Sequence, residues 1–562
     1  MSQTSRSSSA YPRRRAVTAC QVCRARRTKC DQKKPRCSFC EKTGAECISD
    51  PTRFSTFDPA SLTILERLDG LERKLDSIER GVGSAQYPAT SGPVNESTMK
   101  QIPLAESLFP ENLEAIVKWP VFQGLVYSLP SSPELSTPGT RLPTTTNPIL
   151  GDELNASATQ GYLDIFFSHV HTKNPILDET SVRRLVRRIS IEGPGWDSES
   201  CLALLVCANG AITRPFCSAS LSSDELQAST GRALFAAAQK RMGMVLDSAG
   251  VVEAQCLFFV GVYLMSFQRP YDAWRSFLQG LAVCQNFRFM DPGYSTAGLG
   301  GTGASAEEST YWSCWKSERE LRLELGLPDF GSPSALIAPQ RFPTLPLSND
   351  DQLVNAWYFY LSEISLWRLE MEARKDMSAC LSKMRQGQNS PDRLLDLLCE
   401  VSEIYSQQSV AWQDSLPSMV SISDTTCDGT GTDVLRFVLR GRKTYLDELI
   451  TWPFIVHAVG GSELSPTACL WLSKGLEAHL ERLEINFPGF HHRHHGTWLM
   501  IRSSARSACI LLAIARSPVA AHLPFGWKEA VEKTINMLYF WCGEVAGLED
   551  VAKFCQDSLD SF

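Results

Sequence analysis

No run of apolar residues in this 562-residue chain approaches the roughly 18 needed to cross a bilayer. The longest, CLFFVGVYLM from Cys256, falls well short. The opening stretch MSQTSRSSSAYPRRR has no apolar centre, which argues against a secretory signal there. The chain is therefore expected inside the cell, with no membrane partner and with its thiols reduced. Alternation of apolar and polar residues is nearly absent, so sheets are not expected. Neither G-x-S-x-G, nor a P-loop, nor H-E-x-x-H occurs, and no motif supports an enzyme.

What is present is uneven. Residues 1–50 hold twelve Arg and Lys against four Asp and Glu, a local charge of +8. The whole chain carries −7, so the remainder carries −15. A basic head on an acidic body points to a polyanion-binding segment joined to a part that does not bind polyanions.

That head contains CQVCRARRTKCDQKKPRCSFCEKTGAEC, from Cys20 to Cys47. Cys20, Cys23 and Cys30 are spaced C-x2-C-x6-C, and Cys37, Cys40 and Cys47 repeat the spacing 17 residues later. In a reducing compartment a disulfide framework is disfavoured. Zinc takes four ligands in a tetrahedron, and each half supplies three. Two Zn²⁺ that share one cysteine from each half fill eight positions with six sulfurs, and six thiolates against two Zn²⁺ leave a charge of only −2.

This block resembles the binuclear zinc cluster of fungal transcription regulators. The resemblance rests on the six cysteines, the basic run RARRTK and the Pro35 loop KKPRC. It implies that Cys20 and Cys37 bridge the metals. Cys23 and Cys30 would complete one site, and Cys40 and Cys47 the other. It also implies a short helix after the first cysteine pair that enters the DNA major groove and reads a CGG-type triplet. Arg27 takes the position of the base-reading residue, with Arg24, Arg26 and Lys29 as phosphate or supporting contacts. Such modules are too small to have a core, so the metal supplies the folding energy. The alternative is a zinc head that contacts protein, on a ligand- or partner-sensing scaffold or corepressor. Residues 1–19 form a basic arm, suited to DNA contact or nuclear import.

A linker, 48–60, leads into a candidate coiled coil, 61–80. Ile64, Leu68, Leu71, Leu75 and Ile78 alternate spacings of four and three, with Arg67 and Lys74 at g and Glu72 and Glu79 at e. That pattern suits a parallel homodimer; an intramolecular amphipathic helix is the other possibility. Residues 81–154, rich in Ser, Thr, Pro and Gly, are expected to be a connector with one short helix near Pro110. From 155 to 562 the period is helical. Ala254, Leu257, Phe258, Gly261, Leu264 and Met265 share one face, and so do Ile501, Ala505, Ala508, Cys509 and Leu512. YLDIFFSHVHTKNPILDE, from Tyr162, resembles the opening of the fungal-regulator middle domain, which implies an all-α regulatory body. The fold class expected is mostly α: a two-zinc DNA-binding module, a short coiled coil and a large helical domain.

Three features invite other readings. GLGGTG, from Gly298, matches G-x-G-x-x-G but follows no strand, so it reads as a loop. HHRHH, from His491, has no completing ligand pattern nearby and reads as a helix entry. The C-terminal GLEDVAKFCQDSLDSF fits an acidic activation segment and a closing helix equally. The expected function is a nuclear, sequence-specific regulator of RNA polymerase II transcription that binds CGG-containing DNA. Family habit and the acidic tail favour an activator that recruits coactivators, and a metabolic or secondary-metabolite gene cluster is a plausible target.

Overall fold

The computed structural model describes residues 20–47 apart from 21, 24, 25 and 27, then 108–124, 154–214, 224–290, 302–329, 343, 351–385, 391–423 and 431–562. The coiled-coil seam Ile64, Leu68, Leu71, Leu75 and Ile78, together with Arg24 and Arg27, lies outside them. The chain divides into two compact units, 1–96 and 97–562. The described residues of the second unit are mostly α, and no strand occurs among the described residues.

The first unit contains α1 (Ser38–Thr43). In the second, α2 (Leu113–Ile116), α3 (Ala156–Ile165), α4 (Glu179–Glu192), α5 (Ser198–Ile212), α6 (Asp224–Gln239), α7 (Met242–Leu246), α8 (Val251–Ser266), α9 (Pro270–Cys284) and α10 (Thr302–Glu324) come first. They are followed by α11 (Asp351–Arg385), α12 (Pro391–Asp414), α13 (Gly431–Val459), α14 (Pro466–Asn486), α15 (Thr497–Ala515), α16 (Trp527–Trp541) and α17 (Leu548–Asp560).

Local chemistry sets many helix starts. Asn155, Asp178 and Asp197 each accept a hydrogen bond from the backbone N–H three residues on, and Ser465 does the same ahead of Pro466. Each bond satisfies a donor that has no partner within its helix. Helices α5 and α8 are apolar on every side and almost wholly buried, as a helix without a polar face must be. Gly210 sits where α5 crosses α3; a Cβ there would lie 2.1 Å from the Tyr162 carbonyl oxygen. Helix α15 is apolar and long enough to cross a membrane by composition alone, but 83% of that window is buried inside the body.

The body has two hydrophobic cores. The first is built mainly by α3 to α10 and the second mainly by α12 to α17. Two long helices serve both. Helix α11 has 35 residues, roughly 52 Å at 1.5 Å per residue, and it gives Phe359, Tyr360 and Ile364 to the first core and Ala373 and Met377 to the second. Helix α13 gives Val434, Leu435 and Leu439 to the first and Leu446 to Val459 to the second. Residues 108–124 belong to this packing. Leu113, Ile116, Trp119 and Phe122 are buried in the second core, and Phe122 meets Phe554 edge to face at 4.9 Å. Helix α17 buries Leu548, Val551, Ala552, Phe554 and Leu559. The acidic C-terminal segment is therefore a packed closing helix.

Charged side chains tie these layers together. Arg502 of α15 holds both Glu114 oxygens at 2.5 and 2.6 Å and Glu324 of α10 at 3.0 Å. Arg506 reaches Glu324 at 2.7 Å, and Arg482 reaches Glu448 at 2.8 Å. Burial alone would raise the Glu114 carboxyl, but the bonds and charge of Arg502 outweigh it and hold the group below the ordinary glutamate value. Such a pair contributes fully above about pH 4.3 and loses its contribution as pH falls further. Arg502→Ala leaves the mostly buried Glu114 carboxylate without its partner and Glu324 with Arg506 alone, and should cost about 3–5 kcal/mol in denaturant titrations at neutral pH. The deficit should shrink as pH falls below about 4.3. A neutral-pH loss under about 1 kcal/mol, typical of exposed pairs, would show that water already reaches the network.

Candidate metal centre and nucleic-acid interface

Twenty-eight residues, Cys20 to Cys47, are too few for a hydrophobic core, and cysteine sulfurs take its place. Among the described residues of the unit, Cys20, Cys23, Cys37 and Cys40 are the buried ones, with Val22, Cys30, Phe39 and Cys47 packed around them. Two turns place the sulfurs. Thr28 donates its N–H to the Cys23 carbonyl at 2.9 Å, and Ala45 donates to Cys40 at 3.0 Å. Helix α1 starts beside Cys37 and ends at Gly44, whose φ of +67° is the left-handed conformation that glycine adopts at least cost. Asp31 crosses to α1 and accepts from the Ser38 backbone N–H at 3.0 Å and from its hydroxyl at 2.5 Å. Sequence reasoning missed this clamp. The signal for it was an Asp a few residues ahead of a Ser at a helix start.

The geometry is that of two sites with a common edge. Cys20, Cys23, Cys30 and Cys37 form one group of four sulfurs, all within 4.8 Å of one another, and Cys20, Cys37, Cys40 and Cys47 form another. Cys20 and Cys37 are in both. A tetrahedral zinc with Zn–S of about 2.3 Å sets its sulfurs about 3.8 Å apart. The Cys20–Cys37, Cys20–Cys40 and Cys23–Cys37 sulfurs lie at 3.7, 3.6 and 3.5 Å. The donor set therefore fits zinc in type, number and spacing. Burial pushes the Cys40 thiol up to about 12, so thiolates here need a cation among them. The Cys37 backbone N–H gives Cys47 a further partner at 3.4 Å.

Among the basic residues between Cys23 and Cys30, Arg26 and Lys29 are exposed. Neither takes part in the packing of the sulfurs, which leaves both cations free to face solvent or a polyanion.

Two stretches match known families. Residues 18–54 match the fungal Zn(2)-Cys(6) binuclear cluster domain, and residues 163–413 match the fungal specific transcription factor domain. The chain belongs to the fungal binuclear zinc cluster transcription factors. It binds two Zn²⁺ per chain, which supply the folding energy that so small a module lacks. Among curated relatives, the protein named "Putative transcription factor ecdB" of Aspergillus rugulosus is 26% identical over 267 residues, 46% of this chain and 45% of that one. Transcription factor FBD3 of Gibberella moniliformis is 33% identical over 72 residues, 12% of this chain and 9% of that one. The matches thus span less than half the length of either relative.

Neither of the other two sequence motifs adds a metal-ligand group among the described residues. Gly298 to Gly301 lie outside the described residues, while Thr302 and Gly303 begin α10. His491 to His495 precede α15, with His491 against Phe540 at 4.5 Å and His494 capping a turn. The only groups with metal-ligand geometry among the described residues are the two four-sulfur sets. A strong zinc chelator should release two equivalents of zinc from the full chain and erase the ordered structure of residues 20–47. The helical signal of the body should persist. A colorimetric zinc reporter and far-ultraviolet circular dichroism check both parts, and release of a single equivalent would contradict the shared-ligand arrangement.

Proposed function

We propose that this transcription factor binds CGG-containing DNA in the nucleus as a homodimer and regulates RNA polymerase II transcription. The observation that carries this reading is the pair of four-sulfur groups sharing Cys20 and Cys37, with exposed Arg26 and Lys29 on the segment between ligands. In this reading Cys20 and Cys37 bridge the two zincs, Cys23 and Cys30 complete one, and Cys40 and Cys47 complete the other. The metals then hold the segment Arg24 to Lys29 as a rigid reading head. Arg27 bonds guanine O6 and N7, while Arg24, Arg26 and Lys29 fix register on phosphates. Ile64, Leu68, Leu71, Leu75 and Ile78 form the seam that pairs two heads, and the 48–60 linker sets half-site spacing. The module spans 20–47 and the regulatory body 155–562. Activation of a metabolic or secondary-metabolite gene cluster through coactivators is the regulatory outcome we favour.

Fluorescence anisotropy with CGG and scrambled duplexes tests the reading. Affinity should fall steeply as salt rises, because phosphate contacts release counterions. Arg27→Ala should remove about 1–3 kcal/mol of preference for CGG, whereas Lys29→Ala should weaken both duplexes alike. A flat salt response, or equal binding of the two duplexes by the parent chain, sinks the proposal in favour of a protein-contacting zinc head. For the ligand roles, Cys37→Ser should lose both zincs and Cys47→Ser mainly one, as read by metal analysis of the purified variants.

A further inference from the structure

Where the two cores of the body meet there is a cavity of about 350 Å³, within the range of small-molecule sites. Part of its wall is apolar: Phe258, Val262 and Phe277 from the first core, Leu499 packed against that core, and Met500 from the second. The rest is charged, and almost every charge is matched. Lys316, Arg374, Arg442, Arg482 and Arg506 each meet a glutamate. Lys173 is the exception. It lines the cavity and is only 6% exposed, yet its ammonium has no hydrogen-bond or ion-pair partner among the described residues. The carboxylate whose charge it feels, Glu363, is already held by Lys316 and Arg442.

A second unmet donor lies on the same wall. His494 Nδ1 accepts the Gly496 backbone N–H at 2.9 Å, which places the proton on Nε2. That Nε2 is buried and has no partner. Burial and the nearby Lys173 charge both keep the ring neutral. Asn174, also 6% exposed, adds a buried side-chain oxygen without a donor. A buried cation and a buried N–H left unpaired are costly, and they persist together at one wall of a cavity large enough for a ligand.

We infer that this cavity binds a small organic monocarboxylate with an apolar body. Lys173 and the His494 Nε2–H receive the carboxylate, Asn174 accepts from a polar group on the ligand, and Phe258, Val262, Phe277 and Leu499 cover the apolar part. One uncompensated positive charge and one neutral donor suit a single negative charge. A dianion would leave excess negative charge beside Glu320, Glu324 and Glu363, which also line the cavity. The site is independent of the DNA reading, because it lies wholly within the helical body.

Isothermal titration calorimetry on the full chain tests it, with octanoate and 4-phenylbutyrate as probes and their primary amides as neutral counterparts. At least one carboxylate should bind saturably, one per chain, about tenfold or more tighter than its amide, the gain from a charge-assisted bond. Lys173→Met should erase that preference, weakening the acid about tenfold or more beyond any loss for the amide. Without ligand, the same variant should raise the melting temperature by a few degrees, because it removes an unpaired buried charge. Val262→Trp fills the cavity and should abolish binding of acid and amide, with unchanged circular dichroism. Equal binding of acid and amide, or no saturable binding of either acid, overturns the inference. So does a lower melting point for ligand-free Lys173→Met, which would make Lys173 a structural ion.

Discussion

Charge withdrawn from water has to be neutralised where it lies, and both units of this chain are organised around that constraint. In the head, six sulfurs replace a hydrophobic core, and zinc is what makes a cluster of buried thiolates tolerable. In the body, glutamates sit at the junction of two cores and are tolerable only because arginines from other helices reach them. Glu448 is 1% exposed. Burial alone would raise its carboxyl, yet Arg482, His479 and Arg506 hold it below the ordinary value. Such networks add little net stability over an apolar replacement, and they penalise every arrangement that separates the partners. They fix which helices meet at the junction. Lys173 stands out because it departs from a rule that its neighbours obey.

The head was legible because its chemistry is local. Two C-x2-C pairs and their repeat lie within 28 residues, and the turns that gather the sulfurs are set by neighbouring residues. The count of ligands alone demanded sharing, and the structure gathers four sulfurs around each of two centres. The helical character of the body was equally plain, because α8 and α15 carry their apolar period without interruption. Neither inference required knowing which helix packs on which.

What stayed hidden depends on partners far apart in the chain. Glu114 and Arg502 are 388 residues apart, and Glu114 lies in a stretch whose Ser, Thr, Pro and Gly content reads as connector. The short helix expected near Pro110 is present as α2, but composition averages over a window and gives no sign that 108–124 packs into the body, with Leu113, Ile116, Trp119 and Phe122 at core positions. The C-terminal segment was ambiguous for a related reason. Acid mixed with Leu and Phe suits a solvated segment or an amphipathic helix, and only the groove that receives Phe554 and Leu559 decides between them. Likewise nothing in HTKN, His171 to Asn174, signals a lysine that faces a cavity, since the walls come from helices far along the chain.

The thirteen later cysteines show why residue type alone does not make a metal centre. Cys509 of α15 and Cys555 of α17 lie 3.7 Å apart, a separation like that of the zinc ligands. They are nonetheless only two donors, fixed on rigid helices. The sulfur of Cys555 and burial keep the Cys509 thiol well above its ordinary value, and burial pushes Cys207 up to about 12. A tetrahedral ion needs four donors, and helices that each carry one cysteine would have to converge four at a time to supply them. A turn that carries two cysteines halves that requirement before any tertiary contact forms. With the sixfold spacing to a third, each half of the head brings three donors by local structure alone. One long-range approach, of the first half to the second, then completes both sites at once. The repeat is therefore the feature that separates ligands from the buried thiols of the body, which pack as small apolar groups.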